Sequence, residues 1–191
     1  MNTKLKLAAL LLGFMTLQGC VAGIVLGTVG AAMVANDRRT AAAQLEDESI
    51  EFKANKLIIE NKSLNNQTNI SVISFNRTVL MTGQAPNTML RDSAFKLVQK
   101  VDNISRIHNQ IRIGTPSKIT TRSHDAWLTT KVKTAMAADN SFAYSHVKVI
   151  TENSEVFLLG LVTQAEAGKA TEIARNVTGV TKVTKVFEYT H

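Results

Sequence analysis

The 191-residue sequence is poor in cysteine, proline and tryptophan, with one cysteine (Cys20), two prolines and one tryptophan (Trp127). A single thiol excludes an intrachain disulfide bond. The four histidines are scattered and share no ligand spacing with the cysteine or with a carboxylate cluster, which argues against a metal site. The sequence also contains neither a glycine-rich phosphate loop nor a nucleophile elbow. We therefore expect no enzyme activity, no metal and no dissociable cofactor.

The composition is that of a folded protein, with 45% hydrophobic and 19% charged residues. The formal charge of +7 is compatible with nucleic acid or with anionic lipid as a partner. Loss of an N-terminal segment with Lys4 and Lys6 would leave 20 basic against 15 acidic groups, a net charge of +5. The basic groups form no stripe with stacking aromatics, so we expect no nucleic-acid binding. Residues 123–191 hold seven basic and seven acidic groups, so the net charge of this part indicates no partner. The local arrangement of the charges has to be considered instead.

Residues 1–19 combine a basic start, an apolar run and small residues before a lone cysteine, which is typical of a signal peptide. The segment from Leu17 to Cys20 resembles the bacterial lipobox, which implies a covalent diacylglycerol and an N-acyl chain on Cys20. Such chains would hold the protein on a membrane. Val21 is not the aspartate that retains such lipoproteins in the inner membrane, so the resemblance implies the inner leaflet of the outer membrane, facing the periplasm. The alternatives are a buried or redox cysteine and an uncleaved membrane-spanning anchor.

Residues 20–45 are predicted to form a lipidated tether. The part after Cys20 is small and apolar, and the part from Asn36 onwards is polar. Two interpretations of Arg38 and Arg39 remain open: they rest against lipid head groups, or they form a solvated pair.

The rest of the chain divides into two similar copies, residues 46–113 and 123–191, joined by a linker at 114–122. Each copy has the predicted order αββαβ, in which a small three-stranded mixed sheet packs on two helices. We therefore predict an α+β protein with two tandem domains. Gly83 and Gly160 occupy matching places where a strand leaves for a helix, and Gly179 lies in a turn before the last strand. We expect these three glycines to be structural.

The first helix of the second copy, predicted over His124–Ala138, has two different faces. Leu128, Val132, Ala135 and Met136 form the stripe expected to face a core. Trp127 lies outside that stripe, and its neighbours around the helix are Thr130, Lys131, Thr134 and Ala138. Asp125 is expected to cap the start of the helix. A tryptophan beside lysines on the solvent side is typical of a surface that contacts anionic lipid.

The matching helix of the first copy, predicted over Glu46–Glu60, is net acidic and would be repelled by an anionic bilayer. The comparison therefore selects the second copy for lipid contact. The predicted lipid-binding residues are Trp127, Thr130, Lys131, Lys133, Thr134 and Ala138. Two alternatives stay open: Trp127 packs on a neighbouring element, or the same face binds a protein partner. Glu152 and Glu155 are expected to line a solvated turn.

The repeated αββαβ order, the glycine after the second strand and the turn Gly179–Val183 are similar to those of the BON domain. Asn103 holds the place of Gly179 in the first copy, a departure that still permits a left-handed turn. With the lipobox, the whole mature chain resembles the outer-membrane lipoproteins that carry two BON domains. The resemblance implies a non-enzymatic protein that supports envelope integrity by binding anionic phospholipid of the phosphatidylglycerol type through the Trp127 helix. It also implies enrichment at division sites and a link to the outer-membrane protein assembly machinery.

Overall fold

The computed structural model describes residues 37–141 and 143–190. The predicted signal peptide, Cys20 and most of the predicted tether lie outside the described residues. Among the helices that are described, none combines the length and the apolar character that crossing a membrane requires.

The first repeat begins with a helix that is longer than predicted. Helix α1 starts at Ala41, five residues before Glu46, because the Thr40 side chain accepts a hydrogen bond from Ala43 N at 3.1 Å and caps it. The last part of the predicted tether is therefore helical. The elements of this repeat are α1 (Ala41–Glu60), α2 (Lys62–Gln67), β1 (Asn69–Phe75), β2 (Thr78–Ala85), α3 (Thr88–Val98), β3 (Arg106–Asn109) and β4 (Arg112–Ile113).

The sheet of the first repeat has β2 between an antiparallel β1 and the parallel strands β3 and β4. The predicted αββαβ order has one final strand in this repeat, but the structure breaks that strand after Asn109. There the Asn109 side chain accepts a hydrogen bond from Ile111 N at 3.1 Å, and Ile111 is buried in the core. The interruption explains why this sheet counts four strands instead of the predicted three.

The second repeat contains a three-stranded sheet, with β6 between an antiparallel β5 and a parallel β7. Its last helix begins with a capping box between Thr163 and Glu166. The elements are α4 (Ile119–Ala137), a 3₁₀ turn (Tyr144–His146), β5 (Val147–Glu152), β6 (Glu155–Val162), α5 (Gln164–Asn176) and β7 (Lys182–Tyr189). Helix α4 thus begins inside the predicted linker.

Both repeats belong to one compact unit. Each has a core between its sheet and its helices, and a third apolar cluster contains residues of both repeats. This cluster joins the sheet faces that point away from the helices, because alternate residues of a strand face opposite sides. The predicted α+β class, with two mixed sheets, is confirmed. The buried members of the shared cluster are Phe75, Leu80, Phe157, Leu159 and Val186.

Candidate functional site

Helix α4 is fixed to the second repeat by its inner face. Leu128, Val132 and Met136 are buried there, while Ala135 is only partly buried. The inner face therefore agrees with the predicted stripe. The start of the helix does not, because α4 begins at Ile119 instead of His124.

Asp125 does not cap the helix, so this prediction is wrong. It lies in the second turn of α4, only 4% exposed, and its carboxylate accepts hydrogen bonds from Asn153 N and Ser154 N, both at 2.9 Å. These two residues form the β5–β6 turn and have φ angles of 49° and 61°. Left-handed backbone is unfavourable for residues other than glycine. The buried carboxylate stabilises that turn and joins it to the helix.

Asp47 makes the same connection in the first repeat. Its carboxylate accepts hydrogen bonds from Asn76 N and Arg77 N, both at 2.7 Å, and from Ser74 Oγ at 2.6 Å. Asn76 and Arg77 also have positive φ angles, of 50° and 64°. The shared role of these two aspartates in holding a turn was not predicted from the sequence, although their matching places in the two copies were a usable signal.

Trp127 lies on the outer face of α4 with 54% of its surface exposed. Its ring is therefore not enclosed between the two domains. Lys131 Nζ lies 4.5 Å from the centroid of the Trp127 ring. On the preceding turn of the helix, the centroid of the His124 ring lies 5.6 Å from the centroid of the Trp127 ring. Lys131 Nζ also donates a hydrogen bond to Thr178 O at 2.9 Å. An ammonium group has three donors, so that bond does not exhaust its capacity. The result is an exposed indole with a fixed positive charge beside it.

The other predicted lipid-binding residues fall into two groups. Thr130, Thr134 and Ala138 are exposed on the same side of α4 as Trp127. Lys133 is also exposed, but it lies about 120° around the helix from Trp127. Lys133 instead borders a groove between α4 and β5, together with Arg122 and Thr151. The structure brings the first group together with Lys131 and does not bring Lys133 to that surface.

Two further residues extend the surface beyond the predicted set. His124 contacts the Trp127 ring from three positions earlier, a spacing at which helix side chains meet. Ile119 is 72% exposed and opens α4, two turns before Trp127. Ile119 fell within the predicted linker, because the predicted helix start at His124 is five residues later than the observed one. We call Ile119, His124, Trp127, Thr130, Lys131, Thr134 and Ala138 the α4 surface.

Two of the three predicted structural glycines, Gly83 and Gly160, occupy tight positions, and the third has a positive φ angle. A Cβ atom on Gly83 would lie 1.8 Å from Asn69 O, and one on Gly160 would lie 2.4 Å from His146 O. Both neighbours belong to the chain next to the glycine strand rather than to a helix over the sheet. Gly179 has a φ of 107°, and Asn103, in the same place of the first repeat, has a φ of 67°.

Arg38 is exposed and Arg39 is partly buried, and each is held in its own ion pairs, so they do not form the solvated pair that was one interpretation of the sequence. Arg38 makes an ion pair with Glu166 at 2.7 Å. Arg39 pairs with Asp37 and with the buried Asp47 at 2.7 and 2.8 Å, and its guanidinium lies 3.9 Å from the Phe75 ring centroid. Arg38 thus pairs with a carboxylate 128 residues away, whereas the acidic partners of Arg39 are two and eight residues away.

Glu152 and Glu155 do not line a solvated turn. Glu155 is 2% exposed and is paired with Arg112 of the first repeat and with Lys182, whose Nζ lies 2.8 Å away. Burial would raise the pKa of Glu155, but hydrogen bonds from Lys182 and Thr184 hold it below its usual range. Burial raises the pKa of Glu152, which accepts a hydrogen bond from Gln84 of the first repeat at 2.5 Å. Both carboxyl groups therefore join the repeats.

Within residues 37–141 and 143–190, no cluster of three or more His, Cys, Asp or Glu side chains could hold a metal ion. The α4 surface is convex and carries no nucleophile paired with a base. Its chemistry is that of contact: an aromatic ring, an ammonium group and exposed threonine side chains.

Comparison with known proteins gives the family. The BON domain family matches residues 46–115 and 124–190. The chain is 41% identical to the outer membrane lipoprotein DolP of Haemophilus influenzae over 184 residues, which is 96% of this chain and 95% of that protein. It is 39% identical to a 21 kDa hemolysin of Actinobacillus pleuropneumoniae over 153 residues, covering 80% and 79% of the two chains. The C-terminal domain of CdsD, a type III secretion protein of Chlamydia trachomatis, matches at 16% identity over 76% of this chain and 67% of its own, but the TM-score of 0.30 supports no argument.

Proposed function

The chain belongs to the BON domain family, and from this premise we propose that it is an outer-membrane lipoprotein that binds anionic phospholipid through the α4 surface. The observation that supports lipid binding is the exposed Trp127 ring with Lys131 Nζ 4.5 Å from its centroid. Tryptophan is enriched where one side of a surface is apolar and the other wet. A lysine close to an anionic surface contributes about 1 kcal/mol.

The proposed anchor is Cys20, carrying diacylglycerol and an N-acyl chain. The relative DolP is named as an outer membrane lipoprotein, and its sequence aligns over 96% of this chain. We propose the same membrane here, with the chain anchored in the inner leaflet and facing the periplasm. Attachment by lipid would keep the α4 surface within reach of phospholipid head groups. No dissociable cofactor enters this proposal.

The charges of the two equivalent helices favour α4 over α1. Helix α1 carries five acidic side chains against two lysines, whereas α4 carries only Asp125, which is buried, against Arg122 and two lysines. An anionic bilayer would repel α1 and attract α4. The selection therefore rests on surface charge, since the second domain as a whole is neutral.

Such a protein would support envelope integrity at sites rich in anionic phospholipid. Enrichment at division sites and an association with the outer-membrane protein assembly machinery are the further parts of the proposal. They rest on the family relationship alone.

The test uses Trp127 as a reporter, since it is the only tryptophan in the chain. Addition of phosphatidylglycerol vesicles should shift the tryptophan emission to the blue, and phosphatidylcholine vesicles should not. Lys131→Glu should weaken the shift, whereas Lys133→Glu, a matched charge change on the other side of the helix, should weaken it much less. Trp127→Ala, followed by vesicle co-sedimentation, should lose binding while its circular dichroism stays unchanged.

Three results would reject the lipid site: no shift with either lipid, equal shifts with both, or equal losses for the two lysine variants. Binding only to membranes that contain a particular protein would assign the α4 surface to a protein partner instead.

A further inference from the structure

Helix α1 has an exposed apolar stripe on the side opposite its core. Asp47, Ile50, Ala54 and Ile58 are buried against the first repeat. On the outer side, Leu45, Phe52 and Ile59 are 67%, 70% and 61% exposed. We call these three residues the α1 stripe. Such large exposed side chains are individually ordinary, but three of them aligned along one side of a helix mark a surface that could receive a partner.

The spacing of the α1 stripe is that of a helix-pairing seam. Successive members are seven residues apart, so they lie almost in line on a helix and extend over about 21 Å. A shallow groove of about 590 Å³ runs beside Phe52 and Ile59 and is bordered by Glu48 and Lys56. An apolar line with charges along its edges is the arrangement that packs against another helix.

The charges beside the α1 stripe are arranged symmetrically about Phe52. Glu48 lies four residues before it, and Lys56 lies four residues after it. Leu45 and Ile59 lie seven residues before and after it. A second copy of α1, running antiparallel and centred on Phe52, would therefore place Leu45 against Ile59 and Glu48 against Lys56. In a two-fold arrangement each of these contacts occurs twice.

From this self-complementarity we infer that the α1 stripe is a contact between two copies of the chain, with the α1 helices antiparallel. This role is independent of the α4 surface. An anionic membrane is a poor occupant for α1, because acidic groups outnumber lysines on this helix. A second copy supplies an apolar line of equal length and brings its Lys56 to the height of Glu48 across the seam.

A single pair of helices buries less area than a standard protein interface. We therefore expect weak association in dilute solution. Confinement of both copies to one membrane raises their effective concentration, which strengthens a contact without adding new interactions. The experiment should accordingly use the full chain in the membranes of the cells that produce it.

The first test is cysteine cross-linking with a short bifunctional thiol reagent. Full-length Leu45→Cys and Ile59→Cys chains with different tags are produced in one cell. We expect a mixed cross-linked dimer in high yield. Each variant alone should cross-link poorly, because two copies of the same position would lie about 21 Å apart along the antiparallel pair. Phe52→Cys should cross-link to itself, since it lies near the two-fold axis.

Two controls measure the cross-linking that does not depend on the α1 stripe. Met89→Cys presents a thiol at a residue that is 72% exposed on α3 of the same repeat. The unmodified chain reports any reaction of Cys20. Neither should give the dimer.

The second test is a charge reversal with rescue. Glu48→Lys or Lys56→Glu, placed in the cysteine pair, should lower the cross-linked yield at least several-fold. The double reversal should restore it, because the opposite charges are again paired across the contact. Within one chain Lys56 Nζ lies 3.7 Å from Glu60, but both side chains are well exposed, so loss of that pair should barely affect folding.

Three outcomes would overturn the inference. Cross-linking of Leu45→Cys to itself as efficiently as in the mixture would exclude the antiparallel pair. Adducts formed only with other proteins would assign the α1 stripe to a different partner. A yield of cross-linked dimer that stays unchanged in the charge-reversal variants would show that Glu48 and Lys56 do not meet across the contact.

Discussion

Arg38 donates hydrogen bonds to both carboxylate oxygens of Glu166, at 2.7 and 2.9 Å, across 128 residues of sequence. Arg38 lies just before the first repeat, whereas Glu166 lies in the first turn of α5 in the second. Arg38 also donates to Leu161 O at 3.1 Å. The chain that enters the first repeat is therefore held against the second repeat.

The stability of the protein should fall at low pH because Glu166 becomes protonated. Burial would raise the pKa of Glu166, but hydrogen bonds from Arg38 and Thr163 hold it at about 2. A carboxyl group whose pKa is lowered by folding stabilises the protein above its unfolded pKa and loses that contribution as the pH falls. The free energy of unfolding should therefore decline between about pH 4.5 and pH 2. Urea unfolding over that range should show a smaller decline in Glu166→Gln, and NMR titration of Arg38→Ala should show a raised Glu166 pKa.

Removal of the Glu155 carboxylate should weaken the contact between the two repeats and so lower the stability of the protein. Glu155→Ala should lower the free energy of unfolding by about 2 kcal/mol, because a buried charge with three partners is lost while Arg112 and Lys182 are left half exposed. Thermal or urea unfolding measures the change. Glu172→Ala, an exposed glutamate on α5, serves as the control and should stay within about 0.5 kcal/mol. Equal effects for the two variants would contradict the buried role.

Asp125→Ala should destabilise the second repeat by about 2–3 kcal/mol, because two turn amides lose their acceptor. Hydrogen exchange should accelerate at the amides of Asn153 and Ser154. Asp125→Asn keeps one acceptor oxygen and should lose less. If these two amides remained protected in Asp125→Ala, the carboxylate would not be what holds the turn.

Binding to phosphatidylglycerol vesicles should weaken as salt rises, since the charge beside Trp127 is only partly buried and is screened by ions. Lys131→Ala should bind more weakly at low salt and should respond less to added salt. Lys133→Ala should keep the salt response of the unmodified chain. Co-sedimentation at several salt concentrations provides the measurement, and identical slopes for all three chains would exclude Lys131 as the contact.

Two glycine substitutions should have opposite effects. Gly83→Ala should destabilise by more than about 3 kcal/mol, because a Cβ atom would lie 1.8 Å from Asn69 O at a φ of 109°. Gly168→Ala, inside α5 with no atom within 4 Å of the new Cβ, should stabilise by about 0.5–1 kcal/mol. Thermal unfolding of both variants provides the measurement. A lowered midpoint in Gly168→Ala as well as in Gly83→Ala would mean that the helical glycine is not replaceable.

The sequence predicted the repeated fold well, because repeats, alternating strands and amphipathic helices are local patterns. It also separated the inner residues Leu128 and Val132 from the outer Trp127, since helical period alone distinguishes them. The start of α4 was mistaken because Lys118 makes no side-chain capping bond and Asp125 has the residue type of a cap. That Asp125 is buried depends on a turn 28 residues away, which the helical pattern does not contain.

The contacts between repeats were beyond prediction for the same reason. The partners of Arg38 and Glu155 depend on how the two repeats meet, and nothing in the sequence around a charged residue indicates a partner in the other repeat. Lys133 shows the converse limit. It is two residues from Lys131, and composition treats the two lysines alike, but they point to different sides of the helix.

The matching aspartates divide the first helix of each repeat into two sides with different demands. The inward side must offer a carboxylate to two ordinary residues in a left-handed turn, from Asp47 in one repeat and from Asp125 in the other. The solvent side has no such requirement. It presents Phe52 in one repeat and Trp127 in the other, so one shared skeleton supports two unlike exteriors.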